Sequence, residues 1–514
     1  MPSSRRTPGG GRSLATALQD PACYGRDVKE VHLAETHISW VFLTGPYAYK
    51  VKKPVKLPFL DFSTLKRRLH FCLEELRLNR RLAPELYLGV VPIGGSPRAP
   101  RVGKKPGFEY AVKMRQFPPD ARLDHRLAAG AVPRSAITQF AARLARFHGE
   151  LPTLETDPAG RAAQAAARDN VEALARDARG RGRRLMSALR TWMDRECAML
   201  AGTFKRRAAG GAERECHGDL HLQNPLWHEG SIVAYDALEF DPALREIDVV
   251  SEASFLAMDL IAHGRPDLAY DFLNRYFEVS GDYPGLDVLR FYLVHRALVR
   301  AKVGAIKAAQ TGHASRHDPY IDTAHELSKP ETPLLLITHG LSGSGKTTIT
   351  DELVGRLRAL RARSDLERKR LAGIAPEARS GSGVDEGIYA ADATQVTYQR
   401  LREIADRALR HGFSAIVDAT FLQRAERWEF RQIAAANGAR FAILDCTAPT
   451  AELRRRILAR DKAGRDASEA TLAVLNRQLA SHEPLDRAER RSAVRVSTGR
   501  AIRYSTLARI LAKS

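Results

Sequence analysis

The sequence has no apolar run approaching the ~20 residues of a helical membrane span. Its cysteines are few and scattered at Cys23, Cys72, Cys197, Cys216 and Cys446. None forms a CxxC pair, so neither a zinc site nor a disulfide framework is indicated, and a reducing cytoplasm is the expected setting. Arg5 and Arg6 sit in a polar, basic start, but no apolar segment follows them as a twin-arginine signal would require. Residues 1–28 are expected to be poorly ordered. Acidic residues are also short: 60 Asp and Glu stand against 81 Lys and Arg, a net charge of +21. Such a balance suits nucleotide phosphates or a nucleic acid. The excess is spread through an Ala- and Arg-rich chain rather than held in one block, which favours compositional bias over a dedicated nucleic-acid face.

What is present organises itself around Gly340–Thr347, GLSGSGKT. It satisfies the phosphate-loop pattern G-x-x-x-x-G-K-[ST] at every fixed position. The apolar run 334–338 before it reads as a buried strand, and 349–362 after it has helical spacing. In that setting Gly340, Ser342, Gly343, Ser344, Gly345 and Thr348 lie along a loop whose backbone N–H groups face phosphates. Lys346 reaches the β and γ phosphates of ATP, and Thr347 offers its hydroxyl to Mg²⁺.

Three further segments belong with this loop. Asp365, in RSDLERKRL, stands where the first helix has returned to the sheet and can orient an acceptor hydroxyl. Basic neighbours Arg363, Arg368, Lys369 and Arg370 can hold a phosphate. Asp418 ends the apolar strand 413–417, a position for a carboxylate that meets Mg²⁺ through water. The dense cluster Arg454, Arg455, Arg456, Arg460 and Arg465, followed by Gly464, reads as a mobile lid. Arg456 and Arg460 are its candidates for the transferring phosphate.

A second set of motifs lies upstream. Residues 38–53 read as two strands about Gly45-Pro46, with Lys50 and Lys52 on one face, either solvated or turned to a nucleotide. Residues 62–83 read as an amphipathic helix with Ser63 as N-cap and Glu74 and Glu75 near its middle. Residues 134–310 are mostly helical, with a break expected at the RGRGRR run 179–184. Within that range, after the Ala- and Arg-rich stretch 161–208, stands HGDLHLQN, 217–224. Asp219 can accept the proton of an acceptor hydroxyl and Asn224 can bind a metal ion. Asp236 leaves the end of a hairpin-like segment, 225–235, in place for a second Mg²⁺ contact. A hydrolase cluster of His217, His221 and Asp219 is the weaker alternative, because the further ligands it needs are not evident.

HGDLHLQN followed by YDALEFD resembles the aminoglycoside phosphotransferase family, whose members share a bilobal α+β protein-kinase-like fold. The resemblance implies that Asp219 is the catalytic base, that Asn224 and Asp236 are metal ligands, and that Lys50 is the nucleotide lysine. Glu75 is then its partner, with Glu74 as the alternate, and Asp248 resembles an aspartate that braces the catalytic loop. The glycine loop is reduced to Thr44-Gly45-Pro46. The second half resembles the P-loop kinase superfamily near gluconate kinases, polynucleotide kinases and zeta toxins, an α/β fold with a parallel sheet and a helical lid. A polar, proline-bearing stretch ending at 328–330 separates them. The expectation is a kinase-like domain over 29–328 and a P-loop domain over 329–514, as in bacterial fusions of these two types. Both would use ATP and Mg²⁺ on small-molecule hydroxyl acceptors. A nucleic-acid end kinase and a nucleotide sensor with one silent domain are the alternatives. The sequence names neither acceptor nor oligomeric state.

Overall fold

The computed structural model describes residues 10–57, 60–154, 161–311, 319–329, 331–376, 378, 380–381, 386–463 and 469–513. Contacts divide the chain into two compact units: Met1–Ala136 with Leu151–Thr156 and Gly211–Glu252, and Ile137–Glu150 with Asp157–Gly210 and Ala253–Ser514.

The first unit is built on an antiparallel sheet. Its strands are β1 (His32–Glu35), β2 (Ser39–Leu43), β3 (Tyr47–Lys52), β4 (Tyr87–Ser96), β5 (Ala99–Val102) and β6 (Gly107–Arg115), in the order β1-β2-β3-β6-β4-β5. Alternation in β2 and β3 buries Phe42, Tyr49 and Val51 on one face. Helix α1 (Leu65–Asn79) packs on the sheet, and its N-cap is Thr64, whose hydroxyl accepts from the Arg67 N–H, rather than Ser63. The HGDLHLQN segment follows at 217–224, then a hairpin of β7 (Pro225–His228) and β8 (Ser231–Ala234), in line with the hairpin-like reading of 225–235.

The second unit contains a helical part and a parallel sheet. In the helical part, the helix break falls at 178–179; the following helix, Gly180–Ala209, includes the arginine run instead of ending at it. Helix α2 (Pro266–Ser280) belongs to this part and ends at Gly281 in the left-handed region. The sheet comprises β9 (Leu334–His339), β10 (Ala359–Arg363), β11 (Ser414–Asp418), β12 (Arg440–Thr447) and β13 (Ala493–Ser497), ordered β10-β11-β9-β12-β13 with every neighbouring pair parallel. Every residue of β9 is buried, as expected of a central parallel strand covered on both faces. Helix α3 (Lys346–Leu357) springs from the phosphate loop. It is shorter than the helical spacing suggested, because 359–363 forms β10. Helices α4 (Thr450–Ala463) and α5 (Leu472–Ser481) lie beyond β12 in sequence. Among the described residues no helix is long and apolar enough to cross a membrane.

Candidate functional site

In the first unit the β3 alternation puts Lys50 and Lys52 on one face, and α1 brings Glu75 beneath both. Glu75 Oε1 lies 2.9 Å from Lys50 Nζ and Oε2 lies 2.7 Å from Lys52 Nζ. Glu74 turns away to Arg77 at 2.8 Å, so Glu75 is the lysine partner. Lys50 also donates to Asp236 Oδ1 at 2.6 Å. Lys52 is fully buried and donates in addition to Glu239, a residue the sequence reading passed over. Burial alone would raise the Glu75 pKa; the two lysines overcome it and hold the carboxyl well below its usual range. The contribution is therefore present above the unfolded carboxylate pKa and fades as pH falls through the lower folded value. Replacing Glu75 with alanine leaves two buried ammonium groups short of a partner. We expect urea denaturation to record a loss of about 3–5 kcal/mol. A loss within about 1 kcal/mol, the scale of an exposed pair, would contradict the shared-carboxylate account.

Asp219 lies between two neighbours. The Asn224 amide donates to its Oδ2 at 3.0 Å, and His221 Nε2 is 3.3 Å from the same oxygen. His221, whose role the sequence left open, thus touches the candidate base. Gly218 adopts φ +88°, and a Cβ there would meet the Leu244 carbonyl at 2.8 Å, so the loop requires glycine. The backbone N–H groups of His217 and Gly218 donate to Glu252 Oε1 at 2.5 and 2.8 Å. Asp248 is buried and accepts from Val250 N–H at 2.8 Å. Glu252 was invisible to sequence reasoning because it looks like an ordinary helix-start residue. Asp236 has φ +64°, a costly conformation for a non-glycine residue. Its N–H donates to the Tyr87 hydroxyl at 3.2 Å and the next N–H to Asn79 Oδ1 at 2.9 Å, which fixes that geometry.

In the second unit, Gly340 has φ +142°, and a Cβ there would collide with the Cys446 carbonyl. Lys346 is buried, which pushes its pKa down from the usual lysine value. Its Nζ donates to the carbonyls of Gly340 and Leu341 at 2.9 Å each. Thr347 and Thr348 are exposed at the start of α3. A cavity of about 270 Å³ is lined by Ser342, Gly343, Gly345, Lys346, Thr347 and Thr348 together with Asp365, Asp418, Arg456 and Arg460. The candidates from four separate stretches are therefore side by side. Gly340 and Ser344 instead line a neighbouring cavity behind the loop.

Asp418 is buried, with the Thr350 hydroxyl donating to Oδ2 at 3.3 Å and Arg363 Nε 4.0 Å away. Arg368 also borders the first cavity, its guanidinium 5.0 Å from the Tyr389 ring centroid and its Nη1 donating to Ile388 O and Thr394 Oγ1. Of the arginine cluster, Arg454 turns to Asn476 and Arg455 to Glu452, both exposed. Arg456 donates to Gly343 O at 3.3 Å and Thr498 Oγ1 at 2.9 Å, and Arg460 to Ala470 O at 2.9 Å. Gly464 and Arg465 lie outside the described residues. Sequence reasoning missed Gln478, whose Oε1 accepts from the Ser342 N–H at 2.8 Å. A long polar residue on an amphipathic helix carries no signal of its own.

The sequence profile of a family described as "AAA domain" matches residues 335–485. An uncharacterized protein of Mycobacterium tuberculosis, Rv2004c, is 29% identical over 476 residues, covering 90% of this chain and 93% of the relative. Among solved structures, a choline/ethanolamine kinase family protein from Mesorhizobium loti is 13% identical, with 62% of this chain and 92% of that chain covered and a TM-score of 0.38. The APS kinase of Mycobacterium tuberculosis is 19% identical, with 36% and 100% covered and a TM-score of 0.27.

Proposed function

We propose that the chain is an ATP-dependent phosphotransferase with two nucleotide sites, one in a kinase-like domain over 29–328 and one in a P-loop domain over 329–514. Each would move the γ-phosphate of ATP to the hydroxyl of a small-molecule acceptor. The observation that carries this reading is that each half holds the same three functions: a lysine largely withdrawn from solvent for phosphates, a carboxylate at or just past a strand end, and a further aspartate to face an acceptor. In the first half these are Lys50, Asp236 and Asp219; in the second, Lys346, Asp418 and Asp365.

Asp219 accepts the proton of the acceptor hydroxyl as its oxygen attacks the γ-phosphorus and ADP leaves; Asp365 does the same in the second half. The oxygen donors Asn224, Asp236, Thr347 and Asp418 are hard ligands that fit Mg²⁺. When bound, that ion would neutralise phosphate charge. Asp236 is held for this by its strained backbone, and Lys50 neutralises it in the meantime. Arg456 and Arg460 border the cavity where charge builds during transfer.

The test is phosphorylation of a metabolite extract with γ-labelled ATP, comparing the unmodified chain with Asp219→Asn and Lys346→Ala. Labelled small molecules that vanish with one or other variant support the reading; labelling that survives both overturns it.

The lid makes a further expectation. Leu453 and Ile457 of α4 pack with Leu475 of α5 in a small satellite cluster, a weak anchorage beside the main core. Hydrogen exchange across 452–470 should slow when a non-hydrolysable ATP analogue binds, and the slowing should vanish in Lys346→Ala. Strong protection without nucleotide, unchanged by it, would make the segment a fixed surface helix.

A further inference from the structure

Arg361 sits in the middle of β10 and is only 3% exposed. Its Nη1 donates to the Thr347 carbonyl at 3.3 Å and the Thr350 hydroxyl at 3.2 Å, both in the first turns of α3. The Thr350 hydroxyl in turn donates to Asp418. On its other side Arg361 gives Nε and Nη2 to Glu278 Oε1 at 3.1 and 2.9 Å. Glu278 is equally buried and belongs to α2, a helix of the preceding, kinase-like part of the chain. The same helix supplies Asn274, whose Oδ1 accepts from the Arg361 N–H at 2.7 Å. Arg370 returns the contact by donating to the Glu278 carbonyl at 2.6 Å. The approach of α2 to α3 is close: a Cβ on Gly355 would lie 2.6 Å from the Asp267 carbonyl.

A buried guanidinium one hydrogen bond from Thr347 and two from Asp418 is a liability for a metal site, because its charge repels a divalent cation through a medium of low dielectric. Glu278 is the buried carboxylate that offsets that charge, while the half-exposed Asp351 Oδ1, 3.1 Å from Nη2, shares the guanidinium from the solvent side. Burial would raise its pKa, but Arg361, Arg363 and Arg275 hold it below the usual carboxylate value, so it stays ionised.

We propose that Glu278 is a positioning residue of the phosphate-loop site. By neutralising Arg361 it lets that guanidinium brace the first turns of α3 without weakening Mg²⁺ binding at Thr347 and Asp418. Helix α2, which precedes the P-loop part in the chain and lies in the same compact unit, thereby completes that site. This inference rests on the reading of the phosphate loop given above.

The experiment uses the full chain carrying Asp236→Ala, so that the first site is silenced, and measures the Mg²⁺ concentration that half-saturates ATP binding. Glu278→Gln should raise it about tenfold, the size expected of a buried charge nearby whose remaining carboxylate partner is the half-exposed Asp351. Thr350→Val, which keeps shape and charge but cuts the link from Arg361 to Asp418, should raise it about threefold, the loss of a single hydrogen bond. Arg290→Met loosens the same junction elsewhere, where Arg290 donates to the carbonyls of His411 and Gly412 at 3.0 Å each. It should leave the Mg²⁺ requirement unchanged even if the melting temperature falls. An unchanged requirement in both Glu278→Gln and Thr350→Val, or an equal shift in Arg290→Met, would overturn the proposal and leave the pair a stabilising contact. If Lys346→Ala leaves ATP binding of the parent intact, the phosphate-loop reading itself fails, and this inference with it.

Discussion

Lys346→Ala is expected to remove nucleotide binding and turnover at the phosphate-loop site while the site at Lys50 keeps working. The ammonium is buried, and its two hydrogen bonds in the nucleotide-free chain go to carbonyls of its own loop. Those carbonyls hold Nζ over the hollow of the loop, where phosphate oxygens offer a stronger, charged acceptor. Alanine forfeits a charge-assisted bond of about 1.5–3 kcal/mol in binding. It also forfeits charge stabilisation in transfer of about 10²–10³ in rate. The loop backbone should survive, because its left-handed turns at Gly343 and Gly345, φ +81° and +85°, do not depend on the lysine. Calorimetric titration of the full chain with ATP and Mg²⁺ checks this, read against Asp236→Ala to separate the two sites. Equal affinity with and without Lys346 would sink the assignment.

Asp219→Asn should abolish transfer by the kinase-like site and spare its ATP binding. Asparagine keeps the shape that Asn224 and His221 hold in place, but it cannot take a proton. The loss belongs to the transition state and should appear in kcat, at about 10²–10⁴-fold, with KM for ATP little altered. Asp236→Ala should act differently. It removes a metal donor and also frees Lys50 from one of its two carboxylates, so Mg-ATP binding itself should weaken. If both variants lose ATP binding alike, the division between base and metal ligand is wrong.

The sequence made the candidate positions legible because each belongs to a local pattern. GLSGSGKT, HGDLHLQN and the aspartates Asp236 and Asp418 stand out over a few residues, and in the fold GLSGSGKT joins β9 to α3. What it concealed depends on partners distant in sequence. Alternation correctly put Lys52 beside Lys50, but nothing local says that Glu239 arrives to bury it. The helical spacing of 349–362 ran into the segment ALRAR, which nothing local marks as a strand. It becomes β10 because Glu278 neutralises Arg361 from another part of the fold. Glu252 escaped for the same reason: the bonds it accepts from the His217 and Gly218 N–H groups exist only once its helix is packed. Local chemistry was readable, whereas buried charge compensation was not.

The most direct measurement of the central claim is the stoichiometry of ATP binding to the full chain in the presence of Mg²⁺. The account predicts two molecules per chain, one lost with Lys346→Ala and the other with Asp236→Ala. Binding that neither substitution changes would contradict it.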